Sequence, residues 1–232
     1  MNLPEPAPPD PPVNLCGEAL LPDPSGALVW PAAEAVVVAD LHLEKGSSFP
    51  GLPPYDTAAT LARLGEVLRH WRPRRVICLG DSFHDGNAES RLDRADRHAL
   101  SELVAGHDWL WVAGNHDPAP PALGGHVVSE IAIGRLAFRH EAVAASPAGE
   151  ISGHYHPKAA WRARGRRVVG RCFVGDQRRL ILPAFGAYAG GLDVRDPAIA
   201  RLFPDGCDIH LIARDRVTRL PREAAGGRTV TR

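Results

Sequence analysis

At 232 residues, the chain is long enough to bury a core without metal or disulfide staples, and one domain is favoured over two. Apolar residues make up 44% and charged residues 23%, and the formal net charge is zero with neutral histidines. That balance excludes whole-molecule attraction to nucleic acid or to a membrane surface, so any such contact needs a local patch. Cys16, Cys78, Cys172 and Cys207 are scattered, with no CxxC pair. A disulfide framework is not expected, and a cytoplasmic location is.

In chain order, six prolines fall within residues 1–12, and a Pro-rich tail is expected over residues 1–14. The segment lacks the basic and apolar regions of a signal peptide. No stretch approaches the ~20 apolar residues of a membrane helix, so no membrane partner is expected. A single domain is expected over residues 15–213, followed by a loose basic tail over 214–232.

Three apolar runs each end in a polar cluster. Ala35–Ala39 runs into Asp40-Leu-His42, Arg75–Leu79 into Gly80-Asp81, and Trp109–Ala113 into Gly114-Asn-His-Asp117. Short, continuously apolar, β-branched runs read as strands buried on both faces. Between them, Leu61, Leu64, Leu68 and Trp71 form a helical stripe that Pro73 closes, and Leu92, Ala95, Ala99 and Leu103 form another before Gly106. Alternating strands and helices predict parallel βαβ units, whose strand carboxyl ends gather the polar clusters. Later segments, around Val127–Ile133, Leu136–Arg139, Arg167–Phe173 and Leu180–Leu182, predict a mostly antiparallel continuation. The fold class is therefore α/β, a four-layer α/β-β/α sandwich of two facing mixed sheets.

The chemistry-bearing residues, in order, are Asp40, His42, Asp81, Asn115, His116, His140, His154 and His156. Carboxylates, imidazoles and an amide suit Mn, Fe, Zn or similar divalent ions, and the absence of thiolates argues against a structural zinc site. Spacings of two in Asp40-x-His42 and His154-x-His156 would place each pair on one face of a strand. Together these residues exceed the ligand needs of one ion. Two close metals are the usual clamp for in-line attack by an activated water on phosphorus. Each element has an ordinary reading by itself: Gly-Asp as a turn and helix cap, Gly-Asn-His-Asp as an Asx-turn, His140 as a strand-edge histidine. Their ordered combination, each after a strand-like run, carries the inference.

This pattern resembles the calcineurin-like metallophosphoesterase superfamily over about residues 35–190. The resemblance implies that Asp40, His42 and His156 hold one metal, that Asn115, His140 and His154 hold the other, and that Asp81 bridges both. It places Asn115 and His116 against the substrate, with His116 binding a phosphate oxygen or protonating the leaving oxygen. The runs VVVADLHLE (36–44), GDSFHD (80–85), GHYHP (153–157) and LPAFG (182–186) resemble the bacterial DNA-ligase-associated group more narrowly. That resemblance implies two divalent ions, with Mn2+ preferred over Fe, Zn, Mg or Ni. It also implies phosphodiester or nucleic-acid substrates, and DNA ligase, helicase and nuclease-like partners in DNA repair. The expected enzyme is a metal-dependent phosphoric ester hydrolase, a phosphodiesterase or nuclease using a metal-bridging hydroxide. A phosphomonoesterase on a small molecule or protein is the alternative, and a non-catalytic scaffold a third reading.

Further residues carry open readings. His84 is a substrate contact or a turn histidine. Asp117 orients His116 or, more in keeping with its type, caps the following loop. Tyr155 is expected to pack away from the two histidines beside it. Residues 158–179 carry Lys158 and seven arginines against one acid, Asp176. They would track phosphates or form a solvated strand edge protected by charge.

Overall fold

The computed structural model describes residues 12–49, 51–118, 123–144, 148–163 and 166–220. The first sheet contains β1 (Val13–Leu15), β2 (Glu18–Pro22), β3 (Leu28–Trp30), β4 (Ala35–Val38), β5 (Arg75–Leu79), β6 (Asp108–Val112) and β7 (His126–Val128), side by side in that order. β1 to β4 pair antiparallel, and β4 to β7 pair parallel. The second sheet is built from β8 (Glu130–Ile133), β9 (Leu136–Arg139), β10 (Glu150–Ser152), β11 (Lys158–Ala163), β12 (Arg166–Gly175), β13 (Arg179–Ile181), β14 (Asp208–Ala213) and β15 (Arg216–Leu220). Its order is β15-β14-β12-β13-β10-β9-β8, with β11 paired to β12. Antiparallel pairing dominates as expected, but β10 lies parallel to both β9 and β13.

Three apolar layers hold the sheets. Leu61, Leu64 and Leu68 of α2 (Asp56–Trp71) and Leu100 and Val104 of α4 (Arg94–Ala105) cover one face of the first sheet, against Val36, Val76 and Trp109. Between the sheets, Val37, Ile77, Leu110 and Val112 meet Phe138, Ile151, Phe173 and Leu182, all nearly free of solvent. Alternate residues of one strand thus serve different layers, as the two-residue period of a strand requires. The outer face of the second sheet is covered thinly, by loops and the single-turn α5 (Pro197–Ala200), around Cys172, Ile209 and Phe203. The four layers are present, the fourth with little helix. Two further single-turn helices, α1 (Lys45–Ser48) and α3 (Ala88–Arg91), sit in loops over the first sheet's carboxyl edge.

Several expectations are corrected. The segment Val127–Ile133 is two strands: β7 ends the first sheet and β8 begins the second, so the crossover falls at Ser129. In the second helical stripe Leu92, Ala99 and Leu103 pack into or against the core as expected, but Ala95 is exposed and the most buried positions of α4 are Leu100 and Val104. The tail boundaries are also too generous. Val13 and Asn14 pair with Leu20 and Ala19, and Arg216–Leu220 forms a full hairpin partner to β14. The remaining tail residues, 1–11 and 221–232, lie outside the described residues.

Candidate metal centre

The parallel register of β4, β5 and β6 brings three strand ends to one edge. The backbone continues that pairing into the loops: His42 N–H donates to Asp81 O (2.9 Å) and Leu43 N–H to Ser82 O (2.9 Å). Parallel β9 and β10 deliver His140, His154 and His156 from the other sheet to the same place. The LPAFG segment locks the two sheets together here. Leu182 N–H bonds to Ser152 O (2.8 Å), Phe185 N–H to Ala39 O (2.8 Å), and Gly186 N–H to Asp40 O (3.1 Å). Arg63 adds a bond to the Phe185 carbonyl.

The side chains converge as the sequence predicts, but for a different local reason. Asp40 (φ 54°), His42 (φ 44°), Asp81 (φ 46°), His154 (φ 70°) and His156 (φ 47°) all adopt left-handed backbone conformations just past the strands. Turning loops, and not strand alternation, aim each pair. Five non-glycine residues in this region form a concentration of strain that packing on both sides must hold in place. Gly153 allows part of that packing: a Cβ there would lie 2.6 Å from Asp40 Oδ2 and 2.7 Å from Ala39 Cβ. Its own amide neighbour, His154 N–H, donates to the Asp40 carboxylate (2.9 Å).

Two groups of donors result. In one, His42 Nε2 faces His156 Nε2 at 3.2 Å, and His156 Nε2 lies 3.3 Å from Asp40 Oδ1. In the other, His140 Nε2 lies 2.9 Å from Asn115 Oδ1, 3.1 Å from His154 Nδ1 and 3.4 Å from Asp81 Oδ1. Asp81 Oδ2 is 4.0 Å from His42 Nε2, so the carboxylate presents one oxygen to each group. Bonds of ~2.0–2.2 Å to a shared ion put adjacent donors roughly 2.8–3.6 Å apart. The spacings within each group therefore fit one divalent ion apiece.

The protonation pattern makes the same point. His140 Nδ1–H donates to Leu79 O (2.9 Å), which leaves Nε2 ringed by oxygen acceptors and a ring nitrogen. Burial lowers its pKa, but the Asp81 hydrogen bond and the Asp40 and Asp81 charges outweigh burial and lift it to about 9. A cation is what that nitrogen's surroundings demand, and a backbone-anchored imidazole is how metal-binding histidines are usually held. Burial raises the Asp81 carboxyl, yet its hydrogen bond and attraction to His140 prevail, bringing it to about 2. His42 is driven down to about 3 by burial and then by His156, so it stays a neutral donor with its lone pair available.

His116 is 42% exposed at its side chain and stands at the rim. Its Nδ1–H donates to His84 O (2.7 Å), and its Nε2, 4.0 Å from Asp81 Oδ2, is left to face the centre. His84 stacks on it at 5.5 Å and 24°. His84 thus sits in a bend beside the centre; burial, then Lys45 and His116, lower its pKa. Asp117 has a further role that neither reading names. Among the described residues it turns back to accept from Ser82 N (2.8 Å), Phe83 N (3.1 Å) and Gly114 N (3.2 Å), and the loop it was expected to cap runs into residues 119–122, which lie outside the described residues. Burial raises it to about 6, and its role is to tie the Asp81 loop to the Asn115 loop. Tyr155 is buried in the outer layer as expected, its hydroxyl donating to Glu141 Oε1 (3.2 Å), but it does not leave both histidines, since its ring meets His154 edge-on at 5.0 Å.

The basic segment splits in two. Arg171 donates to Ala184 O (2.8 Å) and Ser25 O (3.1 Å), and Arg179 is buried against Glu150 (3.5 Å), so both are structural. Arg162 and Arg167 are exposed on the β11–β12 hairpin. Arg164, and the side chain of Arg166, lie outside the described residues. Sequence reasoning missed Phe49, whose ring lies 5.5 Å from His84. A lone aromatic in a Gly-Ser-Ser loop carries no periodic signal that would have found it. Among the described residues, no helix is long and apolar enough to cross a membrane.

The chain is similar to known proteins. A crystal structure of the Pseudomonas putida nuclease MPE is similar at a TM-score of 0.72 and 32% identity, covering 90% of this chain and 98% of that one. The Escherichia coli phosphoesterase Yfce aligns over 81% of this chain and 98% of its own, at a TM-score of 0.42 and 11% identity, too weak a likeness to carry an argument. No curated protein matches the sequence. The sequence model of the calcineurin-like phosphoesterases matches residues 34–175, a span that contains all the residues of both donor groups, and the chain belongs to that family.

Proposed function

We propose that this chain is a binuclear phosphodiesterase that cleaves nucleic acid. Asp40, His42 and His156 would hold one divalent ion and Asn115, His140 and His154 the other, with Asp81 bridging. The observation that carries the assignment is the Asp81 carboxylate, with Oδ1 turned to His140 and Oδ2 to His42. When bound, such ions supply Lewis acidity to the phosphoryl oxygens and lower the pKa of a coordinated water. The protein's own groups do the rest. His140 is oriented through Leu79 O and Asp40 through His154 N–H, while Asp117 fixes the spacing of the two ligand loops. His116, anchored at Nδ1, can carry a proton at Nε2 to the departing oxygen. Manganese is proposed as the preferred ion and DNA repair as the setting, both from the narrower family resemblance.

Diester cleavage draws support from a relative described as a nuclease and from the exposed Arg162 and Arg167 on the hairpin that follows His156. The test pairs elemental analysis with rates on an aryl monoester, an aryl diester and a single-stranded oligonucleotide. About two ions per chain and faster diester hydrolysis are expected. A saturating stoichiometry of one ion removes the binuclear reading, and hydrolysis of monoesters alone moves the enzyme to the phosphomonoesterases.

A further inference from the structure

A row of rings leads out of the centre. His42 lies 5.2 Å from His116, His116 stacks on His84 at 5.5 Å, and His84 lies 5.5 Å from Phe49. The row ends in solvent, where Phe49 is 48% exposed, with Leu52 (44%) and Tyr55 (71%) on the same loop. Exposed apolar residues in one loop beside a reactive centre need a reason, because each forgoes the gain of burial. The two flanks of this loop are fastened to each other. Glu44 N–H donates to Thr57 Oγ1 (2.8 Å), Gly46 N–H to Asp56 Oδ2 (2.9 Å), and Thr57 Oγ1–H to Glu44 Oε1 (2.9 Å). Glu44, Asp56 and Thr57 are all buried. Arg91 pins the loop from the far side through Ser47 Oγ (3.0 Å) and Glu44 O (3.3 Å). Phe49 is therefore held outward on a fastened support.

We propose that Phe49, its ring tilted at 48° to that of His84 beside it, forms a stacking platform for the base next to the scissile phosphate of an unpaired nucleic-acid strand. This rests on the nucleic-acid reading above and adds the residue that selects the strand's form. A base lying on the Phe49 ring would leave its own phosphate towards His116 and the donor groups. Planar rings recognise any base through its π-face, so little sequence preference is expected. Bases inside a duplex already have their faces covered by neighbours, and the platform favours strands whose bases are free.

The test compares a single-stranded oligonucleotide with one of equal length whose nucleotides lack bases, using the wild type, Phe49→Ala, Phe49→Leu and Phe49→Trp. Metal content and melting temperature serve as checks on folding. Wild type should prefer the base-bearing strand in kcat/KM by roughly 5- to 150-fold, the range that stacking of one base supplies. The preference should collapse in Phe49→Ala and in the equally apolar but non-planar Phe49→Leu, and persist in Phe49→Trp. Equal losses on both strands in Phe49→Ala would make Phe49 a mere prop for its loop and overturn the proposal, as would an undiminished preference. Wild type that hydrolyses an aryl diester but neither strand would instead bring down the nucleic-acid reading, a pattern distinct from either.

Discussion

Gly153→Ala tests whether the centre depends on the close approach of its two halves. Gly153 lies outside the left-handed region, so alanine adds no backbone strain and the effect is purely that of one methyl group. That methyl would sit 2.6 Å from Asp40 Oδ2 and 2.7 Å from Ala39 Cβ, about 0.8 Å short of ordinary contact with the carboxylate at 3.4 Å. Neither neighbour can yield freely, because Ala39 and Asp40 are both bonded to the LPAFG segment through their carbonyls. Metal sites tolerate ligand displacements of only about 0.2 Å, so the shift exceeds the tolerance several-fold. Overpacking should cost about 1–3 kcal/mol of stability. Metal affinity should fall roughly 10- to 100-fold, as when other supports of ligands are disturbed. Manganese titration by calorimetry, together with activity at limiting and saturating metal, measures both. Gly190→Ala is the control, since a Cβ there meets nothing within 4 Å. A Gly153→Ala protein that binds metal as tightly as the wild type would refute the reasoning.

Further outcomes follow from the same geometry. His116→Ala should keep its metal content while turnover falls by ~10²–10⁴-fold, the loss shrinking for esters with good leaving groups; an equal loss across leaving groups would assign His116 to phosphate positioning only. Loading the metal-free protein at neutral pH should release close to one proton from His140. Its pKa, raised to about 9, keeps it charged below that pH, and an ion must displace the proton; calorimetry in buffers of different ionisation enthalpy reads this directly. Glu150→Ala should destabilise the fold by about 3–5 kcal/mol, because Glu150 is fully buried and Arg179 would be left without its carboxylate; a denaturant midpoint unchanged from wild type would contradict it.

The sequence carried the first sheet's parallel core well, because β4, β5 and β6 are buried on both faces and read as unbroken apolar runs. It carried the donor residues too, since acids, imidazoles and an amide placed after such runs have few purely structural uses. It was silent where local pattern and tertiary role part company. The three-residue β10 is too short to show a period, and its Glu150 looks solvent-facing until Arg179 arrives from β13. The seven arginines of the 158–179 segment looked alike in composition, yet Arg171 and Arg179 turn inward to carbonyls and a carboxylate. Asp117 sits in the Asn-His-Asp run as if to serve His116, and only the fold reveals that Ser82 and Phe83, some 35 residues away in sequence, supply its donors. The two-residue spacing of Asp40 and His42 was a correct clue with a mistaken cause, because left-handed turns can produce the same convergence as a pleated strand.

The donors of the centre come from strand ends of both sheets and span residues 40 to 156. Such a site behaves as a clasp across a seam. No short stretch of the unfolded chain can gather either donor group, so an ion that selects the centre selects the assembled pair of sheets. Its binding free energy then adds to the cohesion of the seam according to free metal concentration. Chelation should therefore loosen the two sheets from each other before either sheet melts internally. Metal supply would in that way set how long each molecule survives as well as how fast it works.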